Sequence, residues 1–163
     1  MPADPAIGIA RMVLRHGPST SGVLTRAMLA PLDSAPLARA IDRLAEGLAR
    51  HRQAPGDEQL RDGLIQRYEF TFELGHRLVR RTLKQEGTDP DAVDAMSFAE
   101  LVRAGGASGL LGADWAAWRR FRDLRARSSH TYDAAVAATV IAAIPEFLAE
   151  ARHLLAALRR RAP

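Results

Sequence analysis

Cysteine is absent from the 163 residues. The chain can therefore form no disulfide, no thiol nucleophile and no cysteine-based metal site. The absence is typical of proteins from a reducing compartment, and we expect a cytoplasmic location. Lysine is scarce, so arginine supplies nearly all of the positive charge, and the formal net charge is +4. That basic excess is compatible with an RNA or another phosphate-bearing partner, although many proteins without such a partner share it.

Long apolar runs are also absent. No uninterrupted run approaches the roughly 20 residues of a membrane span. The N-terminal stretch carries an acid at Asp4 and lacks the apolar core of a secretory signal. Apolar residues make up 47% of the chain and charged residues 26%. These values are typical of a globular domain, and a chain of about 150 residues can bury roughly two-thirds of its unfolded surface in one core.

Strand-like alternation is missing as well, whereas apolar residues recur at steps of three and four. The spacing predicts an all-α protein. Helices are predicted over 35–52 and over 57–86, where Gly87 is the expected stop and Pro90 lies just beyond it. Further helices are predicted from Ser97, which forms a capping box with Glu100, from about Ala113, and from Asp133 to the C-terminus. The last of these has the apolar seam of a bundle helix, with Pro145 inside it.

Two segments fit this helical pattern poorly. Residues 1–34 have weak periodicity, and we interpret them as a loosely attached extension or as the product of a start codon assigned too early; residues 35–163 form the predicted bundle. The stretch GGASGLLG, residues 105–112, is predicted to be a glycine-rich loop. No strand precedes it and no Lys-Ser/Thr pair follows it, so it does not have the pattern of a phosphate-binding loop.

The stretch RARSSHTYD, Arg125 to Asp133, brings an arginine, a histidine and a tyrosine close together in sequence. On an unbroken helix, the five-residue step from Arg125 to His130 would leave the two side chains roughly 140° apart. Either the helix breaks between them or two chains contribute. Ser128 and its neighbour favour a break, because serine competes for backbone hydrogen bonds, and Asp133 is then a natural N-cap for the next helix.

Such a junction has the groups that phosphodiester cleavage without a metal ion requires. Arg125 can bind and neutralise a phosphate, and His130 can move protons near neutral pH. Tyr132 would project to the same side of an extended segment as His130. The simpler alternative is that His130 is a surface or capping residue at a helix end, and chemistry alone leaves both interpretations open.

A polar strip on the long second helix has two interpretations of its own. Gln66, Glu69 and Glu73 either face solvent or ion-pair, or they line a dimer cleft and orient Arg125. We expect no metal ion and no cofactor, because no histidine and carboxylate pair stands beside a second ligand set. His76 follows Glu73 by three residues, but nothing else in the sequence converges on it.

Two stretches resemble the nucleotidyltransferase substrate-binding proteins of the HEPN superfamily, the toxin halves of HEPN/MNT toxin–antitoxin pairs. RDGLIQRYEFTFELGHRLVRRTLKQEG covers 61–87, and WRRFRDLRARSSHTYDAAVA covers 118–137. The first carries the family signature through Asp62, Gln66, Arg67, Tyr68, Glu69, Phe70, Thr71, Phe72 and Glu73. The second carries the Arg-x4-His-x-Tyr motif as Arg125, His130 and Tyr132, with Ser129, Thr131 and Asp133 in place.

The resemblance implies an up-and-down bundle of four or five helices that dimerises and brings both motifs into one cleft. It implies a metal-independent ribonuclease that acts through the RNA 2′-hydroxyl, with Arg125 and His130 as catalytic residues. The expected partner is a small nucleotidyltransferase antitoxin that transfers AMP to Tyr132. The alternative is a non-catalytic subunit that presents a substrate to that enzyme. Residues in supporting positions are Gln66, Glu69, Glu73, Arg127 and Asp133.

The chain departs from the family pattern at three positions. Family members usually have asparagine after the motif arginine, and this chain has Ala126. Arg127 is the neighbouring residue that could replace its contacts. The Trp-Lys pair that often follows the signature is replaced by His76 and Arg77.

Overall fold

The computed structural model describes residues 32–87, 89–128 and 133–161. This part of the chain contains six helices and no strand, which confirms the all-α prediction. The predicted extension at 1–34 stays a prediction, because residues 1–31 lie outside the described residues. The helices are α1 (Ala35–Gln53), α2 (Glu58–Glu86), α3 (Pro90–Ala95), α4 (Phe98–Ala107), α5 (Trp115–Arg127) and α6 (Ala134–Arg161).

Three long helices, α1, α2 and α6, pack on one another, and α5 lies against both α2 and α6. Helix α4 fills the space between α2 and α5. Helix α6 is long and apolar enough to cross a membrane by length and composition. In this fold, however, its apolar stripe packs into the core. The largest fully buried side chains include Leu37, Leu44, Tyr68, Phe121, Ile144, Phe147 and Leu154.

Helix α2 begins where the sequence predicts. The Asp57 side chain accepts hydrogen bonds from the backbone N–H groups of Gln59 and Leu60, at 2.9 and 3.0 Å, as an N-cap does. Tyr68 is fully buried on this helix, and its hydroxyl donates to the Phe121 carbonyl oxygen at 2.6 Å. Burial raises the pKa of Tyr68, so the phenol stays a donor. This bond links the middle of α2 to the middle of α5.

Helix α3 is missing from the sequence-based prediction, which treated Pro90 as lying beyond a helix end. The structure shows that Pro90 begins a helix, with the Asp89 side chain as its cap. Proline is favoured at the first helical position because that residue has no N–H to satisfy. A six-residue helix is marginal by itself. Arg80 of α2 secures it by donating to the carbonyl oxygens of Val93, Asp94 and Met96.

Helix α4 starts with the predicted capping box between Ser97 and Glu100. The predicted loop over 105–112 is wrong in its first part, because the helix continues through Gly105 to Ala107. A Cβ atom on Gly105 would lie 2.9 Å from Leu111 Cδ1 and 3.2 Å from Val79 Cγ1. The glycine therefore permits close packing of α4 on α2 rather than ending the helix.

A buried carboxylate sets the start of α5. Glu150 of α6 is 6% exposed. It accepts hydrogen bonds from the backbone N–H groups of Gly112 and Ala113 at 3.0 and 2.9 Å, and from Trp118 Nε1 at 3.0 Å. Three donors satisfy the buried charge. The segment that leads into α5 is thereby fixed to α6.

We predict that Glu150→Ala lowers the free energy of unfolding by about 3 kcal/mol, because it strands three buried donors. Glu150→Gln, which keeps one acceptor oxygen, should cost less. The matched control is Glu146→Ala, four residues earlier on α6, which removes only an exposed ion pair with Arg120 and should cost no more than about 1 kcal/mol. Urea unfolding measures all three variants. Equal losses for Glu150→Ala and Glu146→Ala would contradict the assignment.

Candidate functional site

The predicted break between Arg125 and His130 is confirmed on its near side, because α5 ends at Arg127 and α6 begins only at Ala134. Asp133 caps α6 as predicted, since its side chain accepts from the N–H groups at positions 135 and 136, at 2.8 and 3.3 Å. The catalytic His130 and the tyrosine Tyr132 of the prediction lie outside the described residues. Arg125 is therefore the part of the motif that the structure positions.

Arg125 is held by a carboxylate of the neighbouring helix. Its Nε donates to Glu73 Oε1 at 3.0 Å, and the two side chains are 35% and 45% exposed. The contact leaves the terminal Nη1 and Nη2 groups of Arg125 for other acceptors, and the described residues supply none. A guanidinium fixed along one edge in this way can present its other donors to a phosphate.

Ser128 closes the end of α5. Its hydroxyl lies 2.6 Å from the Arg125 carbonyl oxygen and also contacts the Glu69 carboxylate. A hydroxyl has one proton to donate, so the two acceptors share it. Ser128 is 3% exposed, which makes it one of the few buried polar side chains described. Glu69 and Glu73 of α2 therefore both contact the end of α5, one through Ser128 and one through Arg125.

A pocket of about 340 Å³ opens beside Arg125. Its apolar surface consists of aromatic rings: the His76 imidazole is parallel to the Phe72 ring within 2°, at a centroid distance of 6.5 Å, and lies 5.5 Å from the Phe98 ring. We call it the Arg122 pocket, because the Arg122 guanidinium lies over Phe98 at 4.9 Å. The lining residues are Phe72, Glu73, His76, Arg80, Phe98, Arg122, Arg125 and Ala126.

His76 is the titratable group at the centre of this pocket. Its half-burial lowers its pKa below the ordinary value, and the positive charges of Arg80 and Arg122 act in the same direction. Glu73 opposes them but does not reverse the shift. The imidazole is therefore neutral at pH 7, with one ring nitrogen as donor and the other as acceptor.

The structure separates two other predicted supporting residues from the Arg122 pocket. Gln66 is exposed and lines a pocket of about 480 Å³ between α1 and α2, together with Arg39, Arg43 and the 57% exposed Phe70. Arg127 is exposed and lines a pocket between α5 and α6. Glu69 and Glu73 are therefore brought to Arg125, whereas Gln66 and Arg127 are not.

Sequence reasoning did not assign Arg122 or His76 to the site, although both line the Arg122 pocket. Arg122 precedes Arg125 by three residues and His76 follows Glu73 by three, so each lies on the same helix face as a predicted site residue. That spacing was visible in the sequence. The approach of Phe98 from α4 was not, because it depends on how three helices pack.

Comparison with known proteins identifies relatives of this chain. The family model described as nucleotidyltransferase substrate binding protein like matches residues 32–160. The probable ribonuclease HepT of Haemophilus influenzae is 39% identical over 99 residues, which are 61% of this chain and 67% of that protein. A solved structure from Haemophilus influenzae, described as the fold of a substrate binding domain of a nucleotidyltransferase, superimposes with a TM-score of 0.72 at 31% identity, over 78% of this chain and 99% of the other. The predicted resemblance and the helical fold are confirmed.

We predict that His76 makes the protein less stable in acid. Its folded pKa lies below the unfolded value of about 6.5, so the unfolded chain binds more protons in the interval between the two values. The stabilising contribution is complete above about pH 6.5 and is lost as the pH falls toward the folded pKa. Urea unfolding at about pH 7.5 and about pH 5.5 should show a smaller acid loss for His76→Gln than for wild type.

The control for this experiment is His51→Gln, which removes a histidine from the last turn of α1. Because His51 lies outside the Arg122 pocket, its replacement should not reproduce the smaller acid loss of His76→Gln. If His76→Gln and wild type lose the same stability between the two pH values, the burial of His76 has no thermodynamic consequence and the prediction is wrong.

Proposed function

Because the chain belongs to the nucleotidyltransferase substrate binding protein like family, we propose that it is a HEPN-type toxin that cleaves RNA without a metal ion. The observation that carries the proposal is the fixed position of Arg125, which Glu73 holds at the end of α5 immediately before the motif histidine. The name of the Haemophilus influenzae relative, probable ribonuclease HepT, supports it.

In this mechanism, Arg125 binds the scissile phosphate. Its Nε is engaged with Glu73, and Nη1 and Nη2 are the donors for the phosphate oxygens. The guanidinium neutralises the charge that builds on those oxygens as the attacking group approaches. Because α2 and Ser128 support this end of the helix, the arginine is positioned before RNA binds.

His130 moves the protons. It takes the proton of the 2′-hydroxyl while O2′ attacks the phosphorus; the bond from phosphorus to O5′ breaks, and the 5′-oxygen leaves with a proton. The products are a 2′,3′-cyclic phosphate and a free 5′-hydroxyl. One imidazole cannot be base and acid at the same moment, so the proposed dimer supplies the second histidine from the partner copy.

Neutralisation is proposed to occur at Tyr132. A nucleotidyltransferase antitoxin would let the phenolic oxygen attack the α-phosphorus of ATP, so that AMP is attached and pyrophosphate leaves. The modified tyrosine would place a bulky anion two residues from His130. That anion would fill the cleft and repel RNA phosphates, which is sufficient to inhibit cleavage.

The second candidate function is a non-catalytic subunit that presents a substrate to a nucleotidyltransferase. The description of the matching family and that of the similar solved structure both favour it. This candidate needs the partner enzyme but no proton transfer by His130. The two candidates therefore differ in what His130 does.

We predict that the purified full-length chain cuts RNA in the presence of EDTA and that His130→Ala lowers the rate about 10²- to 10⁴-fold, the usual contribution of an acid-base group. Gel analysis of a labelled RNA measures the rate and detects the cyclic phosphate end. His153→Ala, at an exposed position on α6, is the matched control and should cut at the wild-type rate.

Equal cutting by wild type and His130→Ala would point to a contaminating nuclease and would remove the ribonuclease proposal. No cutting by either would favour the substrate-presenting subunit instead. Neither outcome would alter the family assignment, which stands on the sequence.

We also predict that ATP and the partner enzyme add the mass of an adenylyl group to wild type but not to Tyr132→Phe. The chain contains only one other tyrosine, Tyr68, which is fully buried and serves as an internal control. Peptide mass spectrometry should place the modification at Tyr132. Modification at any other residue would contradict the proposed neutralisation.

A further inference from the structure

The Arg122 pocket is continuous with the proposed phosphate site, because Arg125 and Glu73 line its edge. Its volume of about 340 Å³ is at the lower end of small-ligand pockets, which begin near about 300 Å³. A pocket of this size beside a phosphate-binding arginine has room for one nucleotide unit rather than for a long chain.

The floor of the pocket suits a flat aromatic ligand. The rings of Phe72, His76 and Phe98 lie within 6.5 Å of one another, centroid to centroid. The core residue Trp118 packs against two of these rings, at 5.9 Å from Phe72 and 6.5 Å from Phe98. Nucleobases stack on rings presented in this way.

The rim of the pocket is cationic. Arg122 and Arg125 lie one turn apart on α5, and Arg80 is held at the rim by the carbonyl oxygens of α3. Among the described residues, Arg122 makes no ion pair, and its guanidinium lies over the Phe98 ring. A guanidinium plane in this arrangement can stack on a base or bind a phosphate.

The charges decide the class of ligand. Of the residues that the structure describes, Glu73 is the one carboxylate that lines the pocket, and Arg125 already occupies one of its oxygens. An occupant must therefore combine a flat π system with negative charge. We propose that the Arg122 pocket is a base-recognition subsite, which binds the RNA nucleotide next to the phosphate held by Arg125 and stacks its base on the His76 ring beside Arg122.

This inference rests on the proposed ribonuclease function and adds a base preference to it. The neutral imidazole of His76 offers one donor and one acceptor to the edge of a base. Bases present different patterns of donors and acceptors along their edges. One side chain that hydrogen-bonds in this way binds some bases more tightly than others.

The test measures binding separately from cleavage. Four 2′-O-methyl oligonucleotides, each with one type of base, lack the attacking hydroxyl, and fluorescence anisotropy gives the Kd of each for the full-length chain. Wild type should prefer one or two of the four. Arg122→Ala should weaken binding of the preferred oligonucleotide about tenfold, which corresponds to the loss of one stacked base.

Two further variants distinguish an effect of the pocket from a general loss of positive charge and from a folding defect. Arg43→Ala removes the same charge from α1, at the pocket between α1 and α2. It should weaken the binding of all four oligonucleotides equally, by no more than about threefold. His76→Phe keeps an aromatic ring but removes the donor and acceptor. It should keep the affinity within about threefold and reduce the preference among bases.

The proposal is overturned if wild type binds none of the oligonucleotides, if it binds all four equally, or if Arg122→Ala loses no more affinity than Arg43→Ala. A failure of the proposed ribonuclease function would give a different set of results. In that case wild type does not cut RNA, yet the base preference and its dependence on Arg122 and His76 are still measured.

Discussion

The site depends on the register of α5 on its neighbours. Trp118, Phe121 and Arg125 are spaced three and four residues apart, so they share one face of the helix. Each makes one specific polar contact: Trp118 donates to Glu150, the Phe121 carbonyl accepts from Tyr68, and Arg125 donates to Glu73. A helix held only by apolar packing could slide or rotate at modest cost, whereas three directional bonds along its length permit a single position.

The C-terminal end of α5 also helps to fix the site, through its last backbone carbonyl groups. The last carbonyl groups of a helix have no partner within it and carry partial negative charge, which favours basic side chains in the last turn. Arg125 and Arg127 lie in that turn, and the Ser128 hydroxyl contacts one of the free carbonyl oxygens. Asp133 then caps the opposite, electropositive end of α6. The break between α5 and α6 therefore satisfies backbone groups at both helix ends.

Local signals in the sequence predicted local features well. The capping box at Ser97 and the cap at Asp133 each involve residues two or three positions apart, so their geometry depends little on the rest of the fold. The prediction failed where packing decides. Pro90 begins a helix that Arg80 stabilises from α2, and Gly105 stays helical because α4 approaches so closely.

The polar strip on α2, formed by Gln66, Glu69 and Glu73, shows the same limit of sequence-based prediction within the site. The sequence left open whether Glu69 and Glu73 face solvent or form ion pairs, or instead line a dimer cleft and orient Arg125, because their partners lie more than fifty positions away. Gln66 has the same helical spacing, but it faces a different pocket. Periodicity can place side chains on one face of a helix. It cannot say which neighbouring helix covers which part of that face.

The departures from the family pattern at positions 76 and 126 concern the same pocket. His76 on α2 and Ala126 on α5 both line it. Alanine in place of the usual asparagine removes a polar side chain and leaves more space beside Arg125. Histidine in place of the usual tryptophan keeps a ring parallel to Phe72 and an N–H donor, and it adds an acceptor. In the proposed function, the polar group thus moves from α5, which carries Arg125, to the facing helix α2, where it would contact the neighbouring base instead of the phosphate. Under the proposed function, the change at 126 alters the base preference rather than phosphate binding, because Arg125 keeps its contact with Glu73.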